Sequence, residues 1–160
     1  MRIHPGHPSI PWLALPPQSD TKDVAIIEGG ARRVVGKTSE DIVLVDVAGR
    51  PALRRVQVLE SGELGSRRSE TTIFRESFLP HTHLDVTEER TVTVLYQGAR
   101  ITGEKRTADG RGLPITTEIE LPVFDADSVE MVLRVLPLAE GYAAELPVFH
   151  AGRSERTRVS

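Results

Sequence analysis

Residues 71–123, TTIFRESFLPHTHLDVTEERTVTVLYQGARITGEKRTADGRGLPITTEIELPV, form the longest succession of strand-like segments and reversals in the chain. Val92, Val94 and Tyr96 alternate with Thr91, Thr93 and Leu95, a period of two that places them on opposite faces of a strand. Gln97-Gly98 reverses the chain, and Ile101 and Gly103 then alternate with Arg100, Thr102 and Glu104. A second turn at Asp109-Gly110-Arg111-Gly112 leads to Ile115, Thr117, Ile119 and Leu121, alternating with Thr116, Glu118 and Glu120. At the start of the stretch Thr72, Phe74, Glu76 and Phe78 oppose Thr71, Ile73, Arg75 and Ser77 over residues 71–78. The pattern predicts an antiparallel meander whose apolar face needs a cover.

Upstream, residues 53–60 alternate imperfectly after a Gly49-Arg50-Pro51 turn. Residues 42–47 are the most continuously apolar short run and predict a strand buried on both faces or central in the sheet. Residues 24–27 predict another strand ending at Glu28-Gly29-Gly30. Gly36-Lys37-Thr38 matches only the end of a phosphate-binding GxxxxGK[ST] loop, because Ala31 stands where its first glycine belongs. Residues 1–20 are too rich in proline for a long helix or a central strand and read as an irregular arm, which Trp12 anchors to a single β-rich domain over 21–160.

Downstream the period changes. Asp127 is the expected N-cap, with Glu130 three residues on as its capping-box partner. Val129, Val132, Leu133 and Leu136 form a helical stripe that Pro137 ends, with Met131 on the packing surface and Glu130 four residues before Arg134. Residues 142–150 read as extended, with Pro147 favouring an edge, and residues 154–160 as a final strand.

The chain has 160 residues, 39% hydrophobic and 4% aromatic, so one modest core must be built mainly from Val, Leu, Ile and Ala. A formal net charge of −3 gives no global attraction for nucleic acid. With no cysteine, disulfides, thiolate catalysis and cysteine-bearing metal sites are excluded. No apolar run is long enough to span a membrane as a helix, and no basic-led apolar segment of signal-peptide type opens the chain.

One polar cluster carries candidate chemistry. His81, His83 and Asp85 share a face of an extended segment, and two imidazoles with a carboxylate are credible ligands for zinc or iron. Alternate side chains on an ideal strand stand about 6 to 7 Å apart, so convergence on one ion requires a bend or a further ligand such as Glu89 or His150. No nucleophile elbow accompanies Ser77, and no cofactor motif is present.

The segment LPVFDADSVEMVLRVLPLAEGY at residues 121–142, followed by ELPVF at 145–149, resembles the bacterial DUF3108 domains. The resemblance rests on Phe124, Asp125, Ser128, Leu133, Arg134, Leu136, Pro137, Leu138 and Gly141, and extends in layout over most of residues 24–160. It implies a mainly β fold, a curved antiparallel sheet or half-barrel with one short covering helix, similar in design to periplasmic lipoprotein carriers, and a cell-envelope setting. It transfers no catalytic residue. The leading expectation is a noncatalytic binding or scaffold domain whose apolar cleft, lined by Val92, Val94, Ile119, Leu121, Val132 and Leu136, takes a lipid or another hydrophobic small molecule. The alternatives are a metal-binding protein or metal-dependent enzyme using His81, His83 and Asp85, and a module that engages a protein partner through a sheet edge near residues 145–150.

Overall fold

Short turns and two-residue alternation produce eight consecutive strands, each paired with its sequence neighbours. The computed structural model describes residues 1–151, so the strand expected at 154–160 lies outside the described residues. The strands are β1 (Gln18–Glu28), β2 (Ala31–Val47), β3 (Arg50–Ser61), β4 (Arg67–Phe74), β5 (Pro80–Thr87), β6 (Arg90–Gln97), β7 (Arg100–Thr107) and β8 (Gly112–Glu118). Their linear order leaves the sheet open, with β1 and β8 at its ends. The β2–β3 turn has positive φ at both Ala48 (52°) and Gly49 (82°), the geometry of a tight hairpin matched to strand twist. Register shifts at Val24/Ala25 and Thr72/Ile73 break the ladder locally, as β-bulges do.

A lid covers one face. It consists of the N-terminal arm, a short strand β9 (Phe124–Asp125), a 3-10 turn (Ala126–Ser128), helix α1 (Val129–Leu133) and a returning strand β10 (Val148–Phe149) parallel to β9. The arm supplies Ile3, Ile10, Trp12 and Leu15 to a core shared with Ile42, Leu53, Ile73, Phe78, Phe124, Met131 and Val132. Trp12 is its hub: the ring centroid stands 5.1 Å from Phe78 and 6.0 Å from Phe124, and Nε1 donates to the His7 carbonyl at 3.0 Å. Phe78 adopts φ of 57°, unusual for a bulky residue, and its fully buried ring offsets that strain. A second core unites Val92, Val94, Tyr96 and Ile101 beneath Ile119, Val123 and Phe149.

Several expectations shift at their boundaries. The arm ends before Gln18, where β1 already begins. Within residues 42–47 only Ile42 is buried, in the core shared with the lid, while Val43 and Leu44 are exposed: β2 lies one strand from the open edge. The strand expected over 71–78 stops at Phe74, where a tight turn returns the Phe78 N–H to the Phe74 carbonyl at 2.8 Å. The helix caps at Asp125 rather than Asp127, because the Asp125 carboxylate accepts the Asp127 N–H at 2.9 Å and starts a 3-10 turn first. Its regular part ends at Leu133 rather than Leu136. The Glu130–Arg134 pair forms as the spacing predicts, at 2.7 Å. In the 145–150 segment the Glu145 carbonyl accepts from the Ile3 N–H and the Glu145 N–H donates to the Met1 carbonyl, both at 2.9 Å, while Val148–Phe149 pair with β9 on one side.

Trp12→Ala is expected to cost about 3 to 5 kcal/mol, because it empties the joint between arm, sheet and lid. Chemical denaturation checks this, with a fall in midpoint at an unchanged slope as the expected signature.

Candidate functional site

The face that meets the lid is not uniformly apolar. Cross-strand register aligns Arg55 with Thr71, Thr71 with His83, and His83 with Val94. A neighbouring row aligns Gln57 with Ser69, Ser69 with Asp85, and Asp85 with Val92. Arg55, Ser69, Thr71, His83 and Asp85 are all buried, so a polar seam runs between sheet and lid where a hydrocarbon interior would be the simpler solution.

The lid answers this seam residue by residue. Asp125 is 2% exposed; it accepts from the Tyr96 hydroxyl at 2.5 Å and from the Asp127 N–H, while Ser128 Oγ donates to its carbonyl at 2.7 Å. His83 Nδ1 stands 3.1 Å from Thr71 Oγ1 and 3.4 Å from Asp125 Oδ1. Arg67 bridges sheet and lid, with Nε donating to Asp85 at 2.6 Å and Nη2 to Asp127 at 2.7 Å. Arg90 approaches the other Asp85 oxygen at 3.7 Å.

A second cluster fixes α1. Arg55, with its side chain 4% exposed, donates to Glu40, to the Asp127 carbonyl at 2.7 Å and to Glu130 at 2.6 Å. Arg134 closes the ring, with Nη2 donating to Glu130 and Nη1 lying 2.7 Å from Glu40 as an ion pair outside good hydrogen-bond angles. Because one partner's removal would strand a buried charge, these groups hold the lid in a single position.

Burial lowers the pKa of His83, but its hydrogen bond to Asp125 and the charges of Asp125, Asp127 and Asp85 reverse that effect, and the net direction is upward. Burial also pushes the Tyr96 phenol up, and the Asp125 charge adds to it, so Tyr96 acts as a neutral donor. Burial raises the Glu130 carboxyl, but Arg134, Arg55 and Lys22 outweigh it and hold the group below its ordinary value.

Beside the seam lies a cleft of about 330 Å³ whose walls include Arg67, His83, Asp85, Arg90, Asp125 and Asp127, with Val92, Ala126 and Ala151 as its apolar part and His150 at one side. His83 and Asp85 therefore reach this site, but His81 does not. Thr72 pairs with Thr82 and Ile73 with Pro80, so His81 is the extra residue of a bulge and packs its ring 5.5 Å from Phe74. That one-residue slip removes it from the shared face. Among the described residues no group of three or more His, Asp or Glu is arranged to hold a metal ion.

The six expected cleft residues divide. Val92 and Val94 belong to the second core, with Ile119 packed against it; Val132 and Leu136 belong to the core around Trp12; Leu121 is 52% exposed because β8 ends at Glu118. The polar seam separates the two groups. Sequence reasoning missed Arg67, Arg90, Asp125 and Asp127 as site residues. A signal for the seam existed in the alternation of Leu53 with Arg55, which puts an arginine on the same strand face as a core leucine.

Fold and site together define an open eight-stranded antiparallel meander closed on one face by a salt-bridged helical lid, with a polar cleft at the junction. A family model described as "Protein of unknown function (DUF3108)" matches residues 30–160, and the chain belongs to that family. No curated protein and no solved structure matches the chain. No helix among the described residues is long and apolar enough to cross a membrane.

The raised pKa of His83 means that the native state binds its proton more tightly than the unfolded chain. Its contribution to stability is complete below the unfolded value of about 6.5 and is lost as pH rises through the higher folded value. His83→Gln is expected to flatten that part of the stability profile, read by denaturation at a series of pH values.

Proposed function

We propose that this chain is a noncatalytic binding domain that holds a small amphiphilic molecule at the junction of sheet and lid. The polar end lies against Arg67, His83 and Arg90, and the apolar remainder lies along Val92, Ala126 and Ala151. The observation that carries this reading is the position of the cleft: it opens at the polar seam, while the apolar residues on either side are packed into two cores. The hydrophobic ligand expected from the family resemblance thus becomes one with a polar head, and the cell-envelope setting that the resemblance implies suits such a molecule. Holding fits the chemistry better than turnover, because the carboxylates already face donors: Asp125 engages Tyr96 and a backbone N–H, and Asp85 and Asp127 engage Arg67. A general base would need a carboxylate or imidazole released from such restraints.

Native mass spectrometry after mild purification is expected to show a stoichiometric adduct that organic extraction removes. Ala126→Trp, which fills the cleft, is expected to abolish it. An adduct that survives this substitution would place the ligand elsewhere. A protein that carries no adduct, and whose melting temperature no amphiphile raises, would end the binding reading.

A second reading, a scaffold that engages another protein strand, draws on the open order of the sheet. β1 is long, carries no proline and pairs only with β2 among the described strands, so a second copy of the chain adding there is the simplest form of this reading. Sedimentation should then show mass rising with concentration and Thr21→Pro suppressing the rise; a constant monomer mass rejects it.

A further inference from the structure

We propose that the cleft recognises an anionic head group, a carboxylate or a phosphate monoester, through the guanidinium groups of Arg90 and Arg67 and the second ring nitrogen of His83. This rests on the reading of the cleft as a binding site and adds the sign of the ligand's charge. Counting charges does not decide that sign, since Arg67 and Arg90 face Asp85, Asp125 and Asp127, with His83 and His150 beside them. Hydrogen-bonding capacity decides it. The Asp125 carboxylate accepts from Tyr96 and the Asp127 N–H, with His83 Nδ1 beside it, and Arg67 holds one oxygen each of Asp85 and Asp127.

The charged donors have open positions as well. A guanidinium carries five N–H groups in a planar fork, and among the described residues Arg67 uses only Nε and Nη2. The Arg90 guanidinium, with its side chain 35% exposed, makes no hydrogen bond to the described residues and has only the 3.7 Å ion pair with Asp85. The His83 ring is 7% exposed and engages through Nδ1; its other nitrogen makes no hydrogen bond among the described residues, yet the ring lines the cleft. The upward direction of the His83 pKa favours the doubly protonated ring, in which that nitrogen is also a donor. The cleft therefore presents donors on positively charged groups that no described residue engages, and a planar or tetrahedral oxyanion satisfies them. A cation reaching these carboxylates would stand against Arg67, which holds one oxygen of each, and against Arg90, 3.7 Å from the second Asp85 oxygen. The apolar wall at Val92, Ala126 and Ala151 leaves room for the first carbons of a chain behind the head.

The test uses four probes of one chain length below their micellar concentrations: octanoate, octyl phosphate, 1-octanol and octylamine. Binding is read by calorimetry and by the imidazole NMR signals of His83, assigned with His83→Gln. Octanoate and octyl phosphate are expected to shift the His83 signals and to bind about tenfold or more tightly than 1-octanol, with affinity falling as salt is added. Arg90→Gln is expected to reduce octanoate affinity about tenfold while leaving 1-octanol unaffected. Inorganic phosphate separates the two sources of the head group: competition with octanoate indicates that a free anion suffices, and no competition indicates that the tailed anion is required. If 1-octanol or octylamine binds as tightly as octanoate and shifts the same signals, the cleft remains a binding site and the anion assignment fails. If none of the four shifts them, the assignment and the binding reading fail together.

Discussion

The buried carboxylate of Asp125 is the constraint on which the rest of the structure depends. It receives the Tyr96 hydroxyl from the sheet, the Asp127 N–H from the lid and the neighbouring edge of His83, and its own backbone forms part of β9. A carboxylate taken out of water at such a position is costly unless its lone pairs are satisfied, so sheet and lid must meet in the one arrangement that supplies all these donors. Apolar packing on either side could tolerate sliding. The carboxylate cannot.

That requirement explains why the interior is divided. The core around Trp12 and Phe78 seals one side of the lid, and the core around Val94 and Ile101 seals the other. Between them the inward rows of β3, β4 and β5 carry Arg55, Thr71, His83 and Asp85, matched by Asp125, Asp127 and Glu130 from the lid. Arg55 and Arg67 act as the two cross-links, one buried and anchoring α1, the other half-exposed at the cleft. The cleft is where this seam reaches solvent, which is why its chemistry is polar although the sheet faces beside it are not.

Much of the meander was legible because β-strand alternation and glycine turns are local signals. Val92, Val94 and Tyr96 share a buried face as their spacing predicts, and Gly98 and Gly110 take the positive φ that reversals require. The covering helix was legible as a stripe, but its cap was displaced by two residues, since Asp125 and Asp127 are equally good local candidates and only the hydrogen bond at 2.9 Å distinguishes them. Of the polar residues at 81, 83 and 85, His83 and Asp85 face the cleft, whereas the bulge at His81, invisible to a period-of-two argument, turns it onto Phe74.

By itself the sequence determined the strand succession and the short helix of the lid, because each follows from neighbours within a few residues. Only the tertiary structure decided what lies between sheet and lid. Arg55 and Glu130, or Arg67 and Asp127, are far apart in the chain, and nothing local states that they will share one interior. Register across the strands and closure of the lid bring them together, because a buried charge accepts only a geometry in which its partner is present.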